Sequence, residues 1–215
     1  VDEARRWLTE AKRAAALLPA DAWGQALVEI DRALELVLAT GLPDSVDAAV
    51  GRLTDHLTSS LGVVLVEIPA RTPSLARGAD LYRRQCAACH GATGAGDGAA
   101  GRGLDPAPAD LTDHTLLADV TPLAFYQRIT IGVAGTAMPA YETRLPAEDR
   151  WALALYASTL RQVEPAGEVP TELRSFPTVA EMNDDELLAA LGAGASRGQL
   201  AAVRSWQDEG DDNAA

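Results

Sequence analysis

Apolar residues recur along the chain at helical spacing, with almost no alternating stretch that would read as a strand. Trp7, Ala11, Ala14 and Leu18 form one stripe, ended by Pro19. Trp23, Ala26, Leu27, Ile30, Ala33, Leu34 and Val37 form a second, closed by Gly41 and Pro43. Val46, Val50, Leu53, Leu57 and Leu61 form a third, with Asp44 or Ser45 as its N-cap. Short connections between these predict a helical hairpin or a three-helix bundle. Residues 62–68 fit either an extended piece or a continued helix, and 70–73 read as a linker. A helix is predicted over Leu75–Gln85, then a Gly-, Ala- and Pro-rich loop over 91–110. Thr121-Pro122 opens a helix running to about Ile131, and Pro146-Ala147-Glu148-Asp149 opens one running to about Arg161. A proline-containing linker then reaches Pro177. Beyond it, Thr178-Val179-Ala180-Glu181 and Asn183-Asp184-Asp185-Glu186 compete as the next helix start. Gly192 and Gly194 stop that helix, and Ser196-Arg197-Gly198-Gln199 caps a last one bearing Leu200, Val203 and Trp206. Residues 208–215 are polar, with the composition of a disordered end.

The expected fold is therefore all-α, in three parts: 1–73, an N-terminal helical region and linker; 74–165, a central domain; and 166–215, a linker, two short helices and an acidic tail. With 215 residues and 47% hydrophobic content, a buried core is expected. No run of about 18 apolar residues occurs, so no transmembrane helix is predicted. The opening Val1-Asp2-Glu3 has no initiator Met or leader pattern and reads as a mature or trimmed segment. Net charge is −13, and Lys12 is the only lysine, which argues against a nucleic-acid partner. The acids concentrate at the C-terminal end, where residues 166–215 carry 10 acids and 3 bases, or −7. Such a run is ordinarily a solvated face; attraction of a basic partner or a metal cation is the sharper reading.

Both cysteines of the chain fall in one motif, Cys86-Ala87-Ala88-Cys89-His90. A redox-active disulfide of the thioredoxin kind wants a strand-to-helix setting that does not surround it. A zinc site needs four ligands, and a second cysteine pair is missing. Two free thiols so placed would be a coincidence. The remaining reading is covalent attachment of c-type haem, for which C-x-x-C-H is the signature. Thiols three positions apart lie about one helical turn apart, where they can add to two vinyl groups on one porphyrin edge. His90 then supplies the proximal axial ligand. For the distal ligand there are two methionines. Met138, in Gly135-Thr136-Ala137-Met138-Pro139-Ala140, sits in an ordered-looking loop and is the expected ligand. Met182 begins an acidic helix start, and His56 and His114 read as helix-flank or loop-surface residues.

Residues 75–161 resemble a class I cytochrome c domain. The resemblance rests on the haem motif, on Gly78 and Tyr82 before it, and on Leu153 and Tyr156 on the last helix. It implies that the first and last helices cross closely, Gly78 letting the backbones approach and the aromatic rings filling the angle. It further implies that Leu104-Asp105-Pro106-Ala107-Pro108 is the proline-bearing loop whose carbonyl accepts the proximal histidine's N–H. The arrangement of the whole chain resembles the periplasmic portion of bacterial iron permeases that carry a fused cytochrome c domain. The stretches Ser74-Leu75-Ala76-Arg77-Gly78, Gly103-Leu104-Asp105-Pro106, 131–140, Arg150-Trp151-Ala152-Leu153 and Asp185-Glu186-Leu187-Leu188 carry that likeness. The Arg-Glu-x-x-Glu motifs of the permease proper are not in this sequence.

These resemblances imply one covalently bound haem c and an electron carrier rather than a catalyst. They imply a periplasmic location with membrane association through a missing C-terminal region. The implied partners are a respiratory acceptor or redox protein, a membrane permease domain outside this segment, and ferrous iron as electron donor during uptake. The alternatives are a cytochrome c subunit or shuttle of a respiratory dehydrogenase or oxidase chain, and a haem sensor or peroxidase in which Met138 leaves the iron.

Overall fold

Local capping accounts for most helix boundaries in the structure, a computed structural model that describes residues 67–133 and 135–208. The chain divides into two units, Val1–Glu67 and Ile68–Ala215. The three helices expected over 2–61 and His56 lie outside the described residues, as does the chain end beyond Asp208. Among the described residues all regular structure is helical.

Helix α1, Leu75–Gln85, starts where the Ser74 hydroxyl accepts the Arg77 N–H at 3.2 Å, and Arg83 and Arg84 lie in its last turn. Helix α2, Ala87–His90, is a single turn that carries Cys89 and His90. Helix α3, Pro122–Ile131, is capped by Thr121 with proline in its first turn. Helix α4, Ala147–Thr159, has Glu148 and Asp149 in its first turn. Three short helices follow: α5, Phe176–Ala180; α6, Asp184–Leu191; and α7, Arg197–Arg204. The competition between two helix starts resolves into two helices. Ser175 precedes α5, with Pro177 in its first turn, while Asn183 and Glu186 form the capping box of α6. Thr178 therefore lies inside a helix and caps nothing.

The core is built on the crossing of α1 and α4. Gly78 lies against the Ala152 carbonyl, and a Cβ there would overlap that oxygen and come within 2.7 Å of the Tyr156 Cβ. Only glycine allows this approach. Tyr82 and Tyr156 fill the angle with ring centroids 5.4 Å apart. At the other end of the crossing, the Arg77 guanidinium donates two hydrogen bonds, of 2.8 and 2.6 Å, to the Asp149 carboxylate. Helix α3 lies on α4 through Tyr126, stacked on Trp151 at 4.1 Å between centroids.

The C-terminal segment is part of the same core. Phe176 makes a T-shaped pair with the same Trp151 ring at 5.6 Å between centroids. Asp184, only 5% exposed, accepts two hydrogen bonds of 2.9 Å from Arg161 at the end of the α4 segment and one of 3.1 Å from Arg204 on α7. Arg161 also donates to the Val120 carbonyl, and Arg204 donates to those of Val179 and Met182. Asp208 accepts the Thr72 N–H at 2.7 Å, and Gln207 bonds both Leu75 N and the Pro73 carbonyl. The segment thus ties α4, the approach to α3 and the stretch before α1 together. The solvated role expected of Asp184 is corrected: two guanidiniums enclose it, and its neighbours Asp185 and Glu186 are the exposed acids of that turn.

Candidate haem-binding site

The end of α1 places the two thiols and the histidine. Cys86 is its C-cap, its N–H donating to the Tyr82 carbonyl at 2.9 Å. The chain turns there, and the Cys89 and His90 N–H groups donate back to the Cys86 carbonyl at 3.1 and 2.9 Å. Gly91, at φ 82°, ends the turn in a conformation that residues with a Cβ rarely adopt. The Tyr82 hydroxyl, buried at the helix crossing, donates to the Gly91 carbonyl at 2.9 Å, so the crossing itself holds the end of the motif.

The loop over 91–110 folds back on this turn. Gly96 N donates to the His90 carbonyl at 2.8 Å and Gly98 N to that of Cys89 at 3.1 Å. Leu111 N reaches the Gly94 carbonyl at 2.6 Å. These bonds bring the chain after Pro108 beside His90, whose Nδ1 lies 3.0 Å from the Ala109 carbonyl oxygen. A carbonyl only accepts, so Nδ1 is the donor of this pair, and in the neutral ring that leaves the Nε2 lone pair for a metal. The accepting carbonyl expected within 104–108 is thus one residue further on, at Ala109. Next to it, Asp110 closes a tight turn with Thr112, whose hydroxyl and N–H hold the Asp110 carboxyl below the usual carboxylate range.

Met138 occupies a second loop, between α3 and α4. Thr136 organises it: its hydroxyl donates to the Val133 carbonyl at 2.8 Å and accepts the Met138 N–H at 3.0 Å. Val133 N donates to the Met138 carbonyl at 3.2 Å. Gly132, at φ 74°, lies beneath this loop, where a Cβ would come within 2.7 Å of the Met138 oxygen. Tyr141 ends the loop. Its N–H bonds the Ile129 carbonyl, and its hydroxyl donates at 3.0 Å to the carbonyl of Gln85, the residue before Cys86. That bond joins the Met138 loop to the cysteine motif. Spacing alone did not point to Tyr141. An aromatic three residues after Met138 was a visible signal, but its hydroxyl's partner lies 56 positions away.

The thiols have different settings. Burial, reinforced by the neighbouring Cys89, pushes the Cys86 thiol up to about 12, so it stays protonated at neutral pH and is a poor partner for disulfide exchange. Burial likewise raises the Tyr141 hydroxyl above its ordinary value. The rival ligands stand elsewhere: His114 is exposed, and Met182 lies between α5 and α6, its carbonyl bonded by Arg204. Two thiols one turn apart, an imidazole held through Nδ1, and a thioether on a loop tied to the same helix end form a donor set that suits a haem c.

Residues 73–156 match the family described as cytochrome C oxidase, cbb3-type, subunit III. The Cbb3-type cytochrome c oxidase subunit FixP of Azorhizobium caulinodans is 32% identical over 113 residues, which is 53% of this chain and 35% of that protein. The chain therefore spans about a third of that relative's length. A chain of the Kuenenia stuttgartiensis reducing HAO-like protein complex Kustc0457/Kustc0458 is 24% identical, with a TM-score of 0.38 over 56% of this chain and 62% of that one. The matched segment is a cytochrome c domain similar to subunit III, and cytochrome c domains bind haem c.

Proposed function

We propose that this chain is a periplasmic, membrane-associated electron carrier. In this reading it holds one haem c through thioethers at Cys86 and Cys89, with His90 and Met138 as axial ligands. It serves a respiratory redox chain; the relative named as a Cbb3-type cytochrome c oxidase subunit supports this reading. The observation that carries the reading is the Nδ1 bond of His90 to the Ala109 carbonyl, which orients the ring and reserves Nε2 for iron. When bound, haem c supplies a one-electron iron couple whose potential follows axial ligand, burial and nearby charge. The chain's own part is to hold the two ligands still. Ala109 fixes His90, Thr136 fixes the Met138 loop, and Tyr141 fixes both to one helix end, so little rearrangement accompanies a change of iron oxidation state. Exposed Ile131 and Val133, 72% and 38% exposed, lead into the Met138 loop and offer an apolar contact to a redox partner.

Substitution at Met138 tests this. Met138→Ala is expected to abolish the weak methionine–iron band of the ferric protein and to admit small ligands. The midpoint potential should fall by on the order of tenths of a volt, within the ~0.8 V that axial ligands span. Met182→Ala should change neither spectrum nor potential. An exchange of these behaviours refutes the assignment of Met138. A wild-type ferric protein without the band favours the sensor or peroxidase reading instead.

The narrower reading, the periplasmic part of an iron permease, draws on the sequence stretches that resemble that arrangement. One of them, Asp185-Glu186-Leu187-Leu188, lies on α6 of the C-terminal segment. Ferrous ion should then reduce the ferric haem, at a rate that falls as salt screens the acidic surface over about 8 Å. Asp185→Asn with Glu186→Gln tests the acids of α6 for this role, because Asp184 is committed to Arg161 and Arg204. Failure of ferrous ion to reduce the haem removes the permease reading and leaves the electron carrier standing.

A further inference from the structure

From Gly132 to Ala140 the chain reads Gly-Val-Ala-Gly-Thr-Ala-Met-Pro-Ala, and only Thr136 has a side chain that can donate a hydrogen bond. Both backbone polar groups of Met138 end at Val133, by different routes. The Met138 carbonyl accepts the Val133 N–H directly, at 3.2 Å. The Met138 N–H reaches the Thr136 hydroxyl at 3.0 Å, and that hydroxyl donates to the Val133 carbonyl at 2.8 Å. The hydroxyl thus stands where a second direct backbone bond would, and it completes a two-way tie across the loop.

The inner and outer sides of the loop are held differently. On the inner side the fit is steric: a Cβ on Gly132 would come within 2.7 Å of the Met138 oxygen and 2.9 Å of the Ala140 nitrogen. The Tyr141 N–H, bonded to the Ile129 and Thr130 carbonyls at 3.0 and 3.2 Å, anchors the point where the loop ends. On the outer side Val133, Gly135, Ala137 and Pro139 are exposed, and a Cβ on Gly135 would meet nothing within 4 Å. Packing does not close this side, so the tie to Val133 does. Pro139 has no N–H with which to add another bond. Without the hydroxyl, the Met138 N–H turns to water, and the closed form of the loop loses population to forms in which the thioether has moved away.

We propose that the Thr136 hydroxyl is the positioning group that keeps Met138 in its ligating place, and so decides that this domain carries electrons rather than binding small nitrogen-donor ligands. The inference rests on Met138 as the axial ligand and adds what holds it there. Thr136 acts through the Met138 backbone N–H.

The test compares the haem-loaded parent with Thr136→Val, which keeps the branched shape without the hydroxyl, and with Thr136→Ser, which keeps the hydroxyl. Imidazole is titrated against the ferric protein while the methionine–iron band is followed. Thr136→Val should bind imidazole about fivefold more tightly, the factor that one neutral hydrogen bond contributes to loop closure. Thr136→Ser should match the parent. In a Met138→Ala background, Thr136→Val should leave imidazole affinity unchanged, because no thioether remains to be displaced. Amide exchange in the unaltered ferrous protein measures the same bond directly: the Met138 N–H should exchange at least about tenfold more slowly than an unprotected amide. The proposal fails if Thr136→Val binds imidazole as the parent does, if Thr136→Ser behaves as Thr136→Val, or if the Met138 N–H exchanges unprotected. The exchange result decides on its own should Thr136→Val not fold. A ferric parent without the methionine band overturns the Met138 assignment and this proposal with it; a parent that shows the band beside an indifferent Thr136→Val overturns this proposal alone.

Discussion

Replacing Cys86 and Cys89 together with alanine is expected to yield a chain from which haem is stripped completely by acidified organic solvent, while the unaltered protein keeps it. Axial bonds from His90 and Met138 are lost once acid protonates the imidazole and unfolds the loops, but thioether carbon–sulfur bonds survive denaturation. Each single variant keeps one thioether and should remain haem-positive after denaturation. Haem staining of a denaturing gel, read beside the protein stain, measures this directly. The thiols are suited to the attachment because they lie on one turn, Cys86 as the C-cap of α1 and Cys89 on α2. Haem lost from the unaltered protein under these conditions would overturn the covalent assignment, whatever the spectrum of the native state.

Asp184→Ala is expected to be the most damaging change outside the haem motif. It removes the carboxylate shared by Arg161 and Arg204, whose side chains are 0% exposed, and strands both charges in the core. Breaking a buried pair in this way costs about 3–5 kcal/mol. For a domain of this size that lowers the thermal midpoint by roughly 10 °C. The haem spectrum of the folded variant should be unchanged, because nothing in this tie touches His90 or Met138. The pH dependence has a definite sign. Burial alone would raise the Asp184 carboxyl, but the hydrogen bond and charge of Arg161, the charge of Arg204 and the Gln162 amide outweigh it and hold it below its ordinary value. A depressed carboxyl contributes its stability in full above the unfolded pKa of about 3.9 and loses it as pH falls through the lower folded value. The gap in midpoint between the parent and Asp184→Asn should therefore be constant from about pH 7 to pH 5 and close only in stronger acid. Thermal melts across that range measure it, and a gap that closes near neutral pH would show that the tie does not rest on this carboxylate.

The elements legible from the chain were those whose cause is local. Ser74, Thr121, Asn183 and Ser196 accept hydrogen bonds from N–H groups three residues onward, so the starts of α1, α3, α6 and α7 follow from sequence neighbours. The thiol spacing and the adjacent His90 are equally local, as is the demand for glycine at position 78 once a close crossing is supposed. What escaped the sequence was everything decided across distance. Ala109 rather than Pro106 or Pro108 meets His90 because of how loop 91–110 closes on Gly94 and Gly96. Tyr141 became part of the site only when its hydroxyl found Gln85. Asp184 looked like one more acid of a solvated run, and its place in the chain is the first turn of α6. Its burial comes from Arg161 and Arg204, 23 and 20 residues away, and no pattern along one helix records which charge another helix will bring to it. Capping and spacing are short-range and written in neighbouring residues; the pairing of buried polar groups is set by packing, which only the assembled core determines.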